Sequence, residues 1–198
     1  MTLILASQSS SRRAMLAAAG IPFEAIAPGV DEESAKQMLR ADGLDARALA
    51  DALAELKAIK LSQRHPGTLV LGCDQTLVLD DGTMLDKPVD RDDAAEHLRL
   101  LSGRTHRLLS AAVICEAGQP VWRHIGTARL GVRALSKQFI DGYLDSEWPA
   151  IAGSVGCYRI EGAGAQLFAS IEGDHFTILG LPLVPLCGFL RARGILVE

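Results

Sequence analysis

The sequence predicts an α/β protein built on a mixed sheet. Three observations carry this: apolar runs of strand length interleave with segments of helical period, two long strand-like segments meet at a short glycine-containing turn, and no internal repeat or low-complexity linker interrupts them. The hairpin argues against a strictly parallel sheet. Leu3 to Ala6 reads as a short buried strand, followed by the hydroxyl-rich run Ser7 to Ser11 and a helix from Arg12 to Ala19 closed by Gly20. Ala46 to Arg64 is the clearest amphipathic helix, with Leu49, Leu53, Leu56 and Ile59 at helical spacing and Pro66-Gly67 ending it. Leu69 to Cys73 and Thr76 to Leu79 read as strand before the turn Asp80-Asp81-Gly82. Asp90 caps a helix reaching about Leu101. His106 to Cys115 and Val121 to Val132 are the long strands joined at Gly118, and Ser136 caps a helix through about Ser146. A glycine-rich stretch, Gly153 to Gly164, precedes a strand near Gln166 to Ile171 and a last helix from about Pro182 to Arg193.

The chain has 198 residues, enough for one large domain or two closely fused lobes, and we take 1–198 as a single domain. Hydrophobic residues make up 48% and charged residues 22%, the profile of a packed globule rather than a disordered chain. The formal net charge of -4 argues against a general nucleic-acid binder. Cys73, Cys115, Cys157 and Cys187 form no CxxC pair, which suits buried reduced thiols better than zinc or disulfides. Met1 to Arg13 lacks the basic-then-apolar order of a signal peptide. The most apolar stretch, Ile178 to Leu190, is too short for a bilayer and carries Pro182 and Pro185. A cytoplasmic protein with no membrane partner is the expectation.

Several residue groups could carry chemistry. Ser7, Arg12 and Arg13 sit at a strand-to-helix junction, where backbone N–H groups, the helix dipole and two cations suit a phosphate; a capped surface helix with solvated arginines explains them as well. Asp74, in Gly72-Cys73-Asp74-Gln75, could ligate a metal or accept a proton from water, or be a turn aspartate bonded to its own backbone. Lys87 could neutralise phosphate charge or simply decorate a loop. Asp31-Glu32-Glu33 offers oxygen ligands for a hard cation such as Mg²⁺, yet acidic residues also favour a helix start. Lys57 reads by default as a solvated helix lysine. His106 and His175 read as structural, and no HExxH, Walker A, GxSxG or GxGxxG motif occurs.

Taken in order, these segments resemble the Maf family of nucleotide pyrophosphatases. The matching pieces are LILASQSSSRRAML at Leu3 to Leu16, PGVDE at Pro28 to Glu32, LAELKA at Leu53 to Ala58 and LGCDQTLVLDDGTMLDKP at Leu71 to Pro88. LSGRTH at Leu101 to His106, GCYRIEGAGAQLF at Gly156 to Phe168 and IEGDHFTILGLPL at Ile171 to Leu183 complete the set. The resemblance implies an elongated Maf/ITPase-like α/β fold, with a central mixed sheet flanked by helices and a cleft between two lobes. It implies a hydrolase of acid anhydrides that splits a nucleoside triphosphate between the α- and β-phosphates with Mg²⁺, or a similar ion such as Mn²⁺ or Co²⁺. It also implies that a homodimer is open to the chain.

Carried onto matching positions, Ser7, Ser11, Arg12 and Arg13 look like phosphate-loop and substrate-binding residues. Glu32, Lys57, Asp74 and Lys87 look like the polar lining of the reaction site: Lys57 and Lys87 are catalytic cations, Asp74 is proton acceptor or metal ligand, and Glu32 is a metal ligand. The branch selective for 7-methyl-GTP resembles this chain at Asp74-Gln75 and Glu161-Gly162, which makes Gln75 and Glu161 base-reading candidates and house-cleaning of modified nucleotides the implied role. The branch preferring dTTP and UTP has threonine after the aspartate and glutamine before the later glycine. A carboxylate at Glu161 suits a guanine edge made cationic by N7 methylation, or it pairs with Arg159. Two departures stand out: Ser11 replaces a large aromatic residue of that branch, and Asp86 replaces the glycine that usually precedes Lys-Pro. The readings that compete with this one are a dTTP or UTP pyrophosphatase, a pyrophosphatase of inosine-type nucleotides, and a non-catalytic nucleotide-binding regulator of cell division.

Overall fold

The structure, a computed structural model, describes residues 3–197. In chain order the described residues form β1 (Leu3–Ala6), α1 (Ser10–Ala18), β2 (Phe23–Ala25), α2 (Glu32–Ala41), α3 (Ala46–Ser62), β3 (Val70–Leu79), β4 (Met84–Leu85), α4 (Arg91–Leu101), β5 (Thr105–Glu116), β6 (Gln119–Val132), α5 (Lys137–Glu147), β7 (Phe168–Glu172), α6 (His175–Ile178) and α7 (Leu183–Ala192). A 3₁₀ turn at Ala163–Leu167 leads into β7. The strands lie in the order β2-β1-β3-β5-β6-β7, with β4 beside β3. β1 runs parallel to β2 and β3, whereas β4 is antiparallel to β3 and β7 is antiparallel to β6. The fold is therefore α/β with a mixed sheet and flanking helices, as the alternation of patterns predicts.

Among the described residues, five helices start on a side-chain cap. Ser9, Asp31, Asp45, Asp90 and Ser136 accept from the backbone N–H groups of Arg12, Ser34, Ala48, Asp93 and Phe139, so the Asp90 and Ser136 caps are as expected. Three boundaries depart from expectation. α1 begins at Ser10 rather than Arg12, because Ser9 is the serine that caps it. The segment around Asp74 is one continuous strand, not two. The late strand is Phe168–Glu172, since residues 163–167 close into a 3₁₀ turn.

The chain divides into two compact units. The first takes the chain up to Gln75, Leu109–Gly126 and everything from His175 onward; the second takes Thr76–Leu108 and Thr127–Asp174. In the first, β1 is buried on both faces by alternation. Leu3 and Leu5 join Met15 and Leu16 of α1 and Leu186 and Leu190 of α7, while Ile4 and Ala6 join Leu61 of α3. That two-sided burial explains the unbroken apolar run of a parallel strand. No helix among the described residues is long and apolar enough to cross a membrane.

In the second unit, His106 is fully buried beside Tyr158 and Phe168. Its Nε2 lies 2.8 Å from the Tyr158 hydroxyl, and its Nδ1 is buried without a hydrogen-bond partner. Burial pushes its pKa down to about 4, so the ring is neutral in the folded protein. The unfolded chain takes up this proton near the ordinary value of 6.5, so the contribution is complete above that pH and is lost as pH falls toward 4. Unfolding in urea at pH 5 is expected to give a stability about 2 kcal/mol below that at pH 7 from this group. His106→Gln should flatten that dependence, and an equal drop in the variant would clear His106 of it.

Candidate active site

The site begins with a missing side chain. A Cβ on Gly72 would lie 2.0 Å from the Ala54 carbonyl oxygen and 2.8 Å from the Ala58 nitrogen, so β3 and the backbone of α3 are in direct contact there. Ala50, Ala54 and Ala58 line the packed face of α3 against Ala111, Val113 and Cys115 of β5. Small residues on each side allow this approach, and it delivers Lys57 to the strand beyond Gly72. Gly72→Ala should destabilise the protein by about 1–3 kcal/mol or more, because the obstruction is backbone and cannot rotate away. A melting temperature within a degree of wild type would contradict that close approach.

Lys57 is buried, its side chain 5% exposed. Its Nζ donates to Asp74 Oδ1 at 2.8 Å, pairs with Glu32 Oε2 at 2.8 Å and lies 3.5 Å from the Cys73 carbonyl oxygen. The expectation of a solvated lysine is thus replaced by an ammonium held between two carboxylates. Asp74 is nearly buried, and Glu32 is half-exposed. Asp74 is a strand residue rather than a turn aspartate.

The three acidic residues at the start of α2 do different things. Asp31 caps the helix, accepting from Ser34 N at 3.1 Å and Ser34 Oγ at 2.8 Å, and these bonds lower its pKa. Glu32 turns to Lys57, and Glu33 accepts from Gln37 one turn on. Lys60, three residues beyond Lys57 on α3, donates to the Gly29 carbonyl and ties down the loop before Glu32. Sequence reading missed Lys60; its spacing from Lys57, one helical turn on the same face, is the signal that could have found it.

The register Ala6↔Gly72 brings the segment after β1 beside Cys73 and Asp74. Ser7 Oγ accepts from Ser9 N at 3.2 Å, and α1 starts there with its N-terminal N–H groups at the strand end. Arg12 spans three segments: its Nε donates to the Gly180 carbonyl at 2.8 Å, and its Nη1 to the Cys73 carbonyl at 3.1 Å and toward Ser7 Oγ at 3.5 Å. Arg13 is exposed and donates to the Gln8 carbonyl, while Ser11 lies half-buried in the first turn. The Gln75 side-chain amide donates to Ser110 Oγ at 2.8 Å and to the Thr177 and Ile178 carbonyls at 3.1 Å each. Gln75 thereby fastens the end of α6 to β3.

Ser7, Ser11, Arg12, Arg13, Glu32, Lys57, Asp74 and Gln75 therefore belong to the first unit, whereas Lys87 and Glu161, both exposed, belong to the second. Arg159 is paired by Glu147 rather than by Glu161, with its Nε and Nη2 at 3.1 and 2.8 Å from Glu147 Oε2. Cys73, Cys115 and Cys157 are buried, and Cys187 is half-buried. Burial pushes the Cys73 thiol up to about 11, so the thiol beside Asp74 stays protonated and is no nucleophile.

Glu32 and Asp74 supply hard oxygen donors. Among the described residues no group of three or more His, Cys, Asp or Glu side chains is arranged to hold a metal. Two carboxylates fit an ion such as Mg²⁺, which takes one or two of them and completes its shell with waters and phosphate oxygens.

These features define an α/β protein whose first unit gathers a carboxylate–ammonium cluster midway along β3 and a helix N-terminus just beyond the end of β1. The chain belongs to the Maf family: the model described as "Maf-like protein" matches residues 2–193. It is 56% identical over 195 residues to a protein of Sphingopyxis alaskensis named "Nucleoside triphosphate pyrophosphatase", covering 98% of each chain. It is 50% identical to one of the same name from Ruegeria pomeroyi, over 98% of this chain and 97% of that one. Among solved structures, a "Nucleoside-triphosphatase / dITP/XTP pyrophosphatase" from Mycobacterium abscessus matches with a TM-score of 0.45 and 15% identity, over 98% of this chain and 96% of that one.

Proposed function

We propose that this chain is a single-domain nucleoside triphosphate pyrophosphatase that hydrolyses the α–β phosphate bond to give a nucleoside monophosphate and pyrophosphate, with 7-methyl-GTP preferred. The observation that carries the reading is Lys57, buried and held at 2.8 Å from both Asp74 and Glu32. Retaining a buried charged cluster is costly, and a site that must manage a polyphosphate is a reason to keep it. The names of the relatives at 56% and 50% identity support the same reaction.

In this mechanism Lys57 fixes Asp74 through one oxygen, Oδ1, and the carboxylate orients a water and accepts its proton. The oxygen of that water forms a bond to the α-phosphorus in line with the leaving group; the bond to the bridging oxygen breaks, and its electron pair departs with pyrophosphate. Glu32 and Asp74 would hold a divalent cation, which when bound offsets the charge of the triphosphate. The α1 N-terminus, Ser7, Ser11 and Arg13 receive phosphate oxygens, and Arg12 keeps that loop joined to β3 through the carbonyl groups it binds. Lys87 as a further phosphate cation and Gln75 and Glu161 as base-reading residues follow from the motifs that contain them.

Pyrophosphate release measured side by side on 7-methyl-GTP, GTP, dTTP, UTP and ITP tests the proposal. The expected result is fastest turnover of 7-methyl-GTP with Mg²⁺ and none in EDTA. Faster dTTP or UTP cleavage would overturn the base preference, and absence of turnover on every nucleotide would leave a binding protein instead of an enzyme.

A further inference from the structure

We infer that Arg159 and Glu147 form a positioning pair that sets the orientation of Glu161; this rests on the reading of Glu161 as a base-recognising carboxylate. Glu161 is held by a tight turn in which Gly162 N donates to the Arg159 carbonyl at 3.1 Å, leaving Ile160 and Glu161 as the central residues. The geometry of that turn is therefore set by Arg159. Its backbone is pressed against Gly164, where an added Cβ would lie 2.5 Å from the Arg159 oxygen and 2.9 Å from its nitrogen. Its side chain is fixed at the far end as well, since the last residue of α5, Glu147, takes both Nε and Nη2 on a single oxygen. Glu147 is 9% exposed in its side chain, so the carboxylate end of the pair is anchored in the protein body while the Arg159 side chain, 43% exposed, reaches outward from it. A second tie lies one turn earlier on α5, where Tyr143 Oη donates to the Cys157 carbonyl at 3.2 Å.

The arrangement also decides which carboxylate the guanidinium satisfies. The charge of Arg159 is stabilised first by the Glu147 hydrogen bond and only more weakly by Glu161. With its guanidinium committed to Glu147, Arg159 leaves the Glu161 carboxylate available to a cationic purine edge. Without Glu147, the same guanidinium, two residues from Glu161, would compete with the base for that carboxylate.

A double-mutant cycle tests this. The ratio of kcat/KM for 7-methyl-GTP over dTTP is measured in wild type, Arg159→Met, Glu147→Gln, Glu161→Gln and the Arg159→Met/Glu161→Gln double variant, each checked by thermal melting. Glu147→Gln keeps the shape of the anchor, so it stays informative if Arg159→Met folds poorly. The expected result is a ratio lowered roughly tenfold by Glu161→Gln and comparably by Arg159→Met and Glu147→Gln, with no further loss in the double variant. The loss should appear in KM for 7-methyl-GTP, with inhibition by inorganic triphosphate, which has no base, left within about twofold; a general loosening of structure would move both. If Glu161→Gln lowers the ratio but Arg159→Met and Glu147→Gln do not, or if the losses simply multiply in the double variant, the positioning role is overturned. If Glu161→Gln leaves the ratio unchanged, the base-reading role of Glu161 fails, and this inference with it.

Discussion

Lys57→Met is expected to lower folding stability by about 3 kcal/mol and to remove detectable pyrophosphate release. Methionine keeps the length and apolar stem of the side chain, so the change isolates the ammonium. Its loss leaves Asp74, nearly buried, without the ammonium that donates to its Oδ1. Removing one partner of a buried ion pair costs about 3–5 kcal/mol, and the half-exposure of Glu32 argues for the lower end. Urea unfolding of Lys57→Met, Asp74→Asn and the double variant provides the check. The double should lose clearly less than the sum, because the stranded carboxylate is gone. Additive losses would mean that the ammonium stabilises through Glu32 and the Cys73 carbonyl and not through Asp74.

Asp74→Asn should lower kcat about 10²-fold or more while the protein stays folded. The amide oxygen can still accept from Lys57, so the contact at Oδ1 survives, but the group no longer takes a proton or binds a cation strongly. The measurement is pyrophosphate release by a purified variant whose circular dichroism matches wild type. Turnover near the wild-type level would take Asp74 out of the reaction.

How far the sequence discloses this protein depends on the reach of each contact. α3 was legible because its apolar residues recur over four turns, and the α4 and α5 caps because Asp90 and Ser136 act on residues three positions away. β2, β4 and α6 were not legible: at three, two and four residues they are too short to display a period. The polar pair Asp74-Gln75 seemed to break a strand because its partners lie far off in the chain: Lys57 for one, Ser110 and the end of α6 for the other. Asp74 and Glu32 are candidates by residue type, yet their junction at Lys57 is not: Lys57 lies on the buried face of α3, four residues after Leu53 and four before Leu61, and only contacts distant in sequence show why a lysine is kept there. Arg12 shows the same gap. Its type and place suggest a phosphate ligand, while its bonds to the Cys73 carbonyl of β3 and the Gly180 carbonyl reach segments distant in sequence.

The contact at Gly72 bears on how loss-of-function surveys of this protein would be interpreted. A screen scored by activity would rank Gly72, Ala54 and Ala58 alongside Lys57 and Asp74, although none of the three carries a group able to hold a proton, a cation or a phosphate. Their influence is metric: enlarging any of them lengthens the gap between helix and strand, and a salt bridge of 2.8 Å does not survive an added methyl's width. Scoring abundance beside activity separates the two groups, since wider spacers deplete the folded protein whereas an altered Asp74 spoils catalysis in a protein that persists.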